Sequence, residues 1–182
     1  MNYLFLADGF EEIEALTTVD VLRRAGMPVV TVSINPGLEV TGAHGVTVLA
    51  DSLYDDNGDY ADAQWLILPG GVPGAPNLAA HEPLCRLLVE HEQRGGKVAA
   101  ICASPAVVLV PLGMLDGRQA VCYPGMEVDM GNINWTDTPA AVDGNIVTGR
   151  GPAAAMDFAL AIVEQTLGEA AVAPLAAGLL VN

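Results

Sequence analysis

Lys97-Val-Ala-Ala-Ile-Cys102-Ala-Ser-Pro105-Ala-Val-Val-Leu-Val110 is the stretch on which the fold turns. Its first half is short, apolar and closed by small residues, the pattern of a fully buried strand. Ser104-Pro105 then opens a second apolar run. Proline suits the first turn of a helix, because the N–H it lacks would have no partner there. A strand passing straight into a helix is the building step of an α/β fold, and Cys102 falls on the junction. Unpaired amides and the positive end of a helix dipole favour thiolate over thiol at such a place. The plainer reading of a cysteine among apolar neighbours is a small buried hydrophobe. Its place after the strand, rather than its residue type, favours a functional role.

The same alternation extends in both directions. Tyr3-Leu-Phe-Leu-Ala7, Pro28-Val-Val-Thr-Val-Ser33 and Trp65-Leu-Ile-Leu68 read as further strands, with a weaker extended stretch at 46–49 and short strands at 120–122 and 146–148. Residues 11–25 carry Ile13, Leu16, Val19 and Leu22 at helical spacing and stop at Gly26. Residues 83–93 form another helix with Leu84, Leu87 and Leu88 as its core face, and residues 153–167 a last long one with Phe158, Ile162 and Val163 inward. Strands alternating with helices predict a mainly parallel sheet covered on both faces. No repeat, low-complexity tract or linker interrupts the chain, so residues 1–182 read as one domain.

With 52% hydrophobic residues the chain can bury a substantial core. A formal charge of −15 argues against nucleic acid or an anionic membrane surface as partner, since phosphates would be repelled. Asp51, Asp55, Asp56, Asp59 and Asp62 read as an acidic surface loop. Three cysteines, Cys85, Cys102 and Cys122, imply no disulfide framework and suit a reducing compartment. The first residues lack a basic signal region, and the apolar tail is broken by Pro174 and Gly178. A cytoplasmic location is the expectation.

In an open parallel sheet, ligands bind beyond the carboxyl ends of the strands at a topological switch point. The turns leaving those ends are Asp8-Gly-Phe-Glu-Glu-Ile-Glu14, Pro69-Gly-Gly-Val72, Cys102-Ala-Ser-Pro105 and Gly149-Arg-Gly-Pro152, and they should converge on one crevice. Asp8 with Glu11 has capping-box spacing, which leaves Glu11 and Glu12 as first-turn acids favoured by the dipole. Glu14 is turned from these neighbours towards the sheet edge, where it can share a proton with Cys102 and act as acid or base. Gly70 and Gly71 suit a turn with positive φ. A glycine amide there, with that of Ala103, can face a developing oxyanion. Phosphate or dinucleotide binding has no support: no lysine follows these glycines, no helix opens directly on them, and Gly113-Met-Leu-Asp-Gly117 lacks the spacing. His81 and His91 read as surface residues at the two ends of a helix, and no metal-ligand spacing appears. Cys85 and Cys122 read as core residues. No cofactor and no metal are expected.

Five blocks in order carry a resemblance: Glu11-Glu-Ile-Glu14; Val19-Asp-Val-Leu-Arg-Arg-Ala-Gly26; Leu68-Pro-Gly-Gly71 with Gly74-Ala-Pro-Asn77; Ala99-Ala-Ile-Cys-Ala-Ser-Pro105; and Arg150-Gly-Pro152 with Phe158-Ala-Leu-Ala-Ile-Val-Glu164. The chain resembles, nearly end to end, the ThiJ/PfpI superfamily, in the branch of the parkinsonism-associated deglycase DJ-one and its bacterial relatives. The resemblance implies a flavodoxin-like α/β/α sandwich, usually a homodimer, without a dissociable cofactor. It places Cys102 on a strained strand-to-helix nucleophile elbow with Glu14 hydrogen-bonded to it. Activities ascribed to this branch are glyoxalase chemistry on methylglyoxal, deglycation of glyoxal adducts, redox sensing through a cysteine sulfinate and chaperone-like protection. Tyr123 stands where DJ-one has histidine, and Ala103 where the peptidase branch has one. No histidine is thus placed by motif to activate Cys102, which weakens a peptidase or amidase reading. His44 matches a position held by arginine near the partner's pocket in dimeric relatives.

The expectation is a cofactor-free cysteine enzyme acting on reactive dicarbonyls or their adducts. Cys102 is the nucleophile, Glu14 the acid/base, and Gly70, Gly71 and Ala103 the oxyanion and substrate-binding group. The alternative is an oxidative-stress sensor or protective protein that uses oxidation of Cys102.

Overall fold

The computed structural model describes residues 1–56, 58 and 60–181, so Asp59 of the acidic loop lies outside the described residues. Eleven strands and five α-helices are present among them: β1 (Asn2–Leu6), α1 (Glu12–Arg24), β2 (Val29–Ser33), β3 (Glu39–Thr41), β4 (Thr47–Leu49), β5 (Ser52–Leu53), β6 (Trp65–Leu68), α2 (Gly74–Ala80), α3 (Glu82–Gln93), β7 (Lys97–Ile101), β8 (Gln119–Ala120), β9 (Asn134–Trp135), β10 (Ala140–Asp143), β11 (Ile146–Gly149), α4 (Ala155–Leu167) and α5 (Glu169–Gly178). A seven-stranded sheet has the order β10-β11-β7-β6-β1-β2-β5. Every neighbouring pair in it is parallel except β10 with β11. The core order β2-β1-β6-β7-β11 is that of flavodoxin-like folds, with the switch point between β1 and β6.

Side chains alternate across this sheet with the period of two that a strand imposes. Leu4, Leu6, Ile67, Ala99, Ile101 and Val147 face Phe158, Ile162 and Val163 of α4 and Leu22 of α1. Phe5, Leu66, Leu68, Val98, Ala100 and Ile146 face Leu78, Leu84 and Leu88 of α2 and α3. Both faces are covered, which is why β6 and β11 are buried at every position and β6 reads as an unbroken apolar run.

Several expectations are corrected. On α1, Ile13 and Leu16 are exposed (55% and 44%), while Glu14 and Thr18 are buried with Val19 and Leu22. The helix turns a polar edge inward because Glu14 has partners there and the Thr18 hydroxyl donates to the Glu14 carbonyl at 2.7 Å. Asp8 does not cap α1: its carboxylate accepts the Thr41 N–H at 2.9 Å, and Glu11 is the N-cap, accepting from the Ile13 N–H at 3.4 Å. His91 is buried at 4%, its ring packed where a side chain on Gly96 would collide with it. His81 is half-buried and caps α3 through the Leu84 N–H. The 120–122 stretch joins a separate two-stranded sheet with β9. α4 is not the last helix, since α5 follows and packs Ala171, Val172 and Leu175 against the α1–α4 side. No helix among the described residues is long and apolar enough to cross a membrane.

Candidate active site

Three strand exits meet at the switch point. β7 ends at Ile101, and the next residue, Cys102, turns out of the sheet with φ +65°. A left-handed conformation costs a non-glycine residue roughly 1–2 kcal/mol, and the surroundings hold this one on both sides. The Cys102 N–H donates to the Gly149 carbonyl at 2.9 Å, and its carbonyl accepts from the Tyr123 N–H at 2.8 Å. The Ser104 hydroxyl donates to the Pro69 carbonyl at 2.5 Å, tying the exit of β7 to that of β6. The helix expected after Cys102 is a five-residue π-type helix, Pro105–Leu109. Any dipole acting on Cys102 is thus that of nearby amides rather than of a long helix.

β6 delivers Gly70 and Gly71, and the two glycines have different reasons to be glycine. Gly71 has φ +94°. Gly70 does not need positive φ: a Cβ there would sit 2.6 Å from Cys102 Cβ, 2.8 Å from Glu14 Oε2 and 3.0 Å from Cys102 Sγ. Its amide is taken up by Glu14 Oε2 at 2.8 Å, so of the expected oxyanion group Gly70 positions the acid and offers no free donor. The amides of Gly71 and Ala103 are directed at the Cys102 sulfur. A short helix, α2, begins at Gly74, three residues beyond Gly71.

Glu14 has no exposed surface. Its Oε1 is buried without a hydrogen-bond partner among the described residues, and its carboxyl lies within hydrogen-bonding reach of the Cys102 thiol. Burial raises the Glu14 carboxyl to about 7, opposed by its bonds to Cys102 and Gly70. Burial likewise pushes the Cys102 thiol up to about 12, helped by the Glu14 charge and hydrogen bond and opposed by the Gly71 and Ala103 amides. The expected free thiolate at neutral pH is therefore corrected. Two buried groups with one negative charge between them share a proton, and the carboxyl ionises first.

Cys102, Gly71 and Ala103 line a cleft of about 470 Å³. Its rim carries Glu11, His44 and Tyr123 together with apolar Ile13, Val72 and Met126. His44 comes from the turn between β3 and β4 and lines the cleft of its own chain. That turn is pinned by Glu12, whose carboxylate accepts the His44 N–H at 2.8 Å, meets His44 Nδ1 at 2.9 Å and accepts the Val46 N–H at 3.4 Å. Glu12 thus does more than complement a dipole. These contacts hold the Glu12 carboxyl below its usual range against its burial, and raise His44. The oxygens of Glu11 and Glu12 and a His44 nitrogen lie within 4.8 Å of one another, a potential metal-donor set that sequence spacing did not reveal. Their donor atoms are occupied by one another and by the hairpin amides. Of the remaining cysteines, Cys122 is buried as expected and Cys85 is only half-buried.

Residues 2–165 match the profile of the DJ-1/PfpI family. The chain belongs to the DJ-1/PfpI family. Protein DJ-1 homolog B of Arabidopsis thaliana is 39% identical over 90% of this chain, which spans 37% of that relative's length. The Deglycase PYRAB04690 of Pyrococcus abyssi is 37% identical over 84% of this chain and 91% of its own. The crystal structure of Drosophila melanogaster DJ-1beta superposes with a TM-score of 0.90 at 36% identity, covering all of both chains. The α/β fold expected from the sequence is thus that of the DJ-1 structures.

Proposed function

We propose that the protein is a cofactor-independent cysteine enzyme acting on small reactive dicarbonyls or their adducts. The observation that carries this reading is a fully buried carboxyl, raised to about 7, within reach of a cysteine thiol at the floor of an open cleft. A general acid/base works best when its pKa lies near the operating pH. A relative named as a deglycase adds support at the level of reaction class.

In the proposed reaction the Glu14 carboxylate takes the thiol proton as the Cys102 sulfur bonds to the aldehyde carbon, and the carbonyl electron pair moves to oxygen. The Gly71 and Ala103 amides stabilise charge at this centre. Glu14 returns its proton to the alkoxide, giving a hemithioacetal. It then carries the hydrogen of that carbon to the neighbouring carbon, while the hydroxyl proton of the first carbon passes to the oxygen of the second, leaving a thioester of the hydroxy acid. Water releases the acid and restores the thiol. Methylglyoxal plus one water thus becomes lactate, with no net oxidation and no cofactor. Cys102 occupies the nucleophile elbow of this scheme.

Oxidation of Cys102 would draw on the same proton transfer to Glu14, and the open cleft beside the sulfur is what favours a carbonyl substrate. Replacing Cys102 by Ser should abolish methylglyoxal turnover, measured as lactate formed, by at least about 10³-fold, since removing the nucleophile leaves only binding and oxyanion effects. Turnover unchanged by Cys102→Ser would overturn the proposal.

A further inference from the structure

Two hollows meet at Tyr123. The first is the Cys102 cleft, and none of the residues lining it is a lysine or arginine. The second, of about 350 Å³, is walled by Pro124, Arg150, Pro152 and Ala154. Tyr123 and Pro152 line both, so the two hollows adjoin at these residues. Tyr123 lies over Gly151, where a Cβ would come within 3.3 Å of the ring.

Sheet register explains why the hollows adjoin. Ile101 pairs with Gly149 across β7 and β11, and Cys102 donates to the Gly149 carbonyl. Arg150 therefore leaves its strand beside Cys102, about one strand spacing of 4.8 Å away. A three-carbon aldehyde needs on the order of 100 Å³, judged from the liquid volume of water, and leaves most of the first hollow and all of the second unfilled. The guanidinium is 40% exposed and pairs with Asp137, itself 85% exposed, at 2.5 Å. It makes no other side-chain hydrogen bond or ion pair among the described residues. An exposed pair of this kind contributes little stability, and a ligand carboxylate that meets the guanidinium fork bidentately can displace it. At the opposite rim two carboxylates, Glu11 and Glu12, meet a single imidazole, His44, a balance that disfavours a further anion there and sets the direction in which a substrate lies.

We propose that the hollow beside Tyr123 is a second subsite, in which Arg150 receives the carboxylate of a thiol or amino-acid adduct whose aldehyde-derived carbon lies at Cys102. The inference rests on the dicarbonyl reading above and names the substrate class for it: carboxylate-bearing adducts of small 2-oxoaldehydes, in preference to the free aldehyde or to neutral adducts.

The test separates the subsite from the chemistry. Cys102→Ser protein is titrated calorimetrically with S-lactoyl-N-acetylcysteine and with its carboxamide, a pair differing only in charge at the far end. The carboxylate should bind about tenfold more tightly, the expected worth of one charge-assisted hydrogen bond. Adding Arg150→Gln should bring the ratio to about one, whereas Asp137→Asn, which frees the guanidinium, should raise it. A ratio of one in the Arg150-containing protein, or a preference that survives Arg150→Gln, overturns the subsite, as does failure to bind either compound. Because the ratio compares two ligands on one protein, a partial loss of folding in a variant does not imitate the result. Absence of dicarbonyl turnover by the unmodified protein would instead refute the reaction, and the calorimetry would still decide the subsite.

Discussion

Replacing Gly70 by alanine should damage stability and proposed catalysis together, for one geometric reason. The added methyl would lie 2.6 Å from Cys102 Cβ, 2.8 Å from Glu14 Oε2 and 3.0 Å from Cys102 Sγ. Ordinary carbon contacts begin near 3.5 Å, so sulfur and carboxyl must each retreat by several tenths of an ångström or more. Neither can do so freely. Glu14 is enclosed on a helix and Cys102 is held at φ +65° by hydrogen bonds on both sides. Overpacking of this kind costs about 1–3 kcal/mol, which for a chain of this size lowers Tm by roughly 2–12 °C. A misplacement near 1 Å between reacting groups costs about 10²-fold in rate. Gly26→Ala supplies the control: its φ is positive, unlike that of Gly70, but nothing among the described residues lies within 4 Å of the new methyl. It should lose about 1 kcal/mol to strain and leave turnover intact. Thermal denaturation followed by circular dichroism and methylglyoxal turnover of both variants decide the matter. A Gly70→Ala protein with unchanged Tm and unchanged turnover would refute the reasoning.

Two further predictions follow from buried or anchored polar groups. His91 is held below its usual pKa, first by burial; the unfolded chain therefore binds the extra proton, and this contribution to stability is lost as pH falls through about 6.5. Glu14, raised to about 7, acts with the opposite sign, its contribution being present below about 4.5 and lost as pH rises through 7. Urea unfolding from pH 5 to 8 should show the unmodified protein losing stability relative to His91→Gln as pH falls below about 6.5, the Glu14 contribution being common to both; identical slopes would contradict the assignment. Glu12→Gln should loosen the β3–β4 turn, with amide exchange at His44 and Val46 faster by about tenfold, the loss of one hydrogen bond to a charged group. The His44 titration followed by NMR should also shift downward. Unchanged exchange at both amides would show that the turn is held by something else.

The strands that build the site were legible because each is a short apolar run ending in turn residues. The rule that ligands sit beyond the carboxyl ends of parallel strands is enough to bring the ends of β6 and β7 to one crevice. Cys102 and Glu14 were legible too, the first from its junction and the second from its spacing. What escaped was set by contacts distant in sequence. Nothing in residues 39–49 announces that their turn is pinned by Glu12 and carries His44 to the cleft. The apolar spacing of α1 pointed to Ile13 and Leu16, but the helix is oriented by Glu14, whose polar partners lie on β6 and β7 exits. The ionisation of Cys102 was misjudged for a similar reason: the sequence showed neighbouring amides, while the enclosure that outweighs them comes from packing. Gly70 was read as a turn glycine, and its actual constraint is the closeness of two side chains from other elements.

The central claim is that Glu14 and Cys102 hold one proton between them and that the carboxylate must be free for the sulfur to react. The pH dependence of Cys102 alkylation by iodoacetamide, compared between the unmodified protein and Glu14→Gln, tests it most directly. The account predicts a rate that climbs through an inflection near 7, following the carboxyl, and an inflection that disappears in Glu14→Gln. A rate that is constant from pH 5 to 8 and indifferent to Glu14→Gln would contradict it.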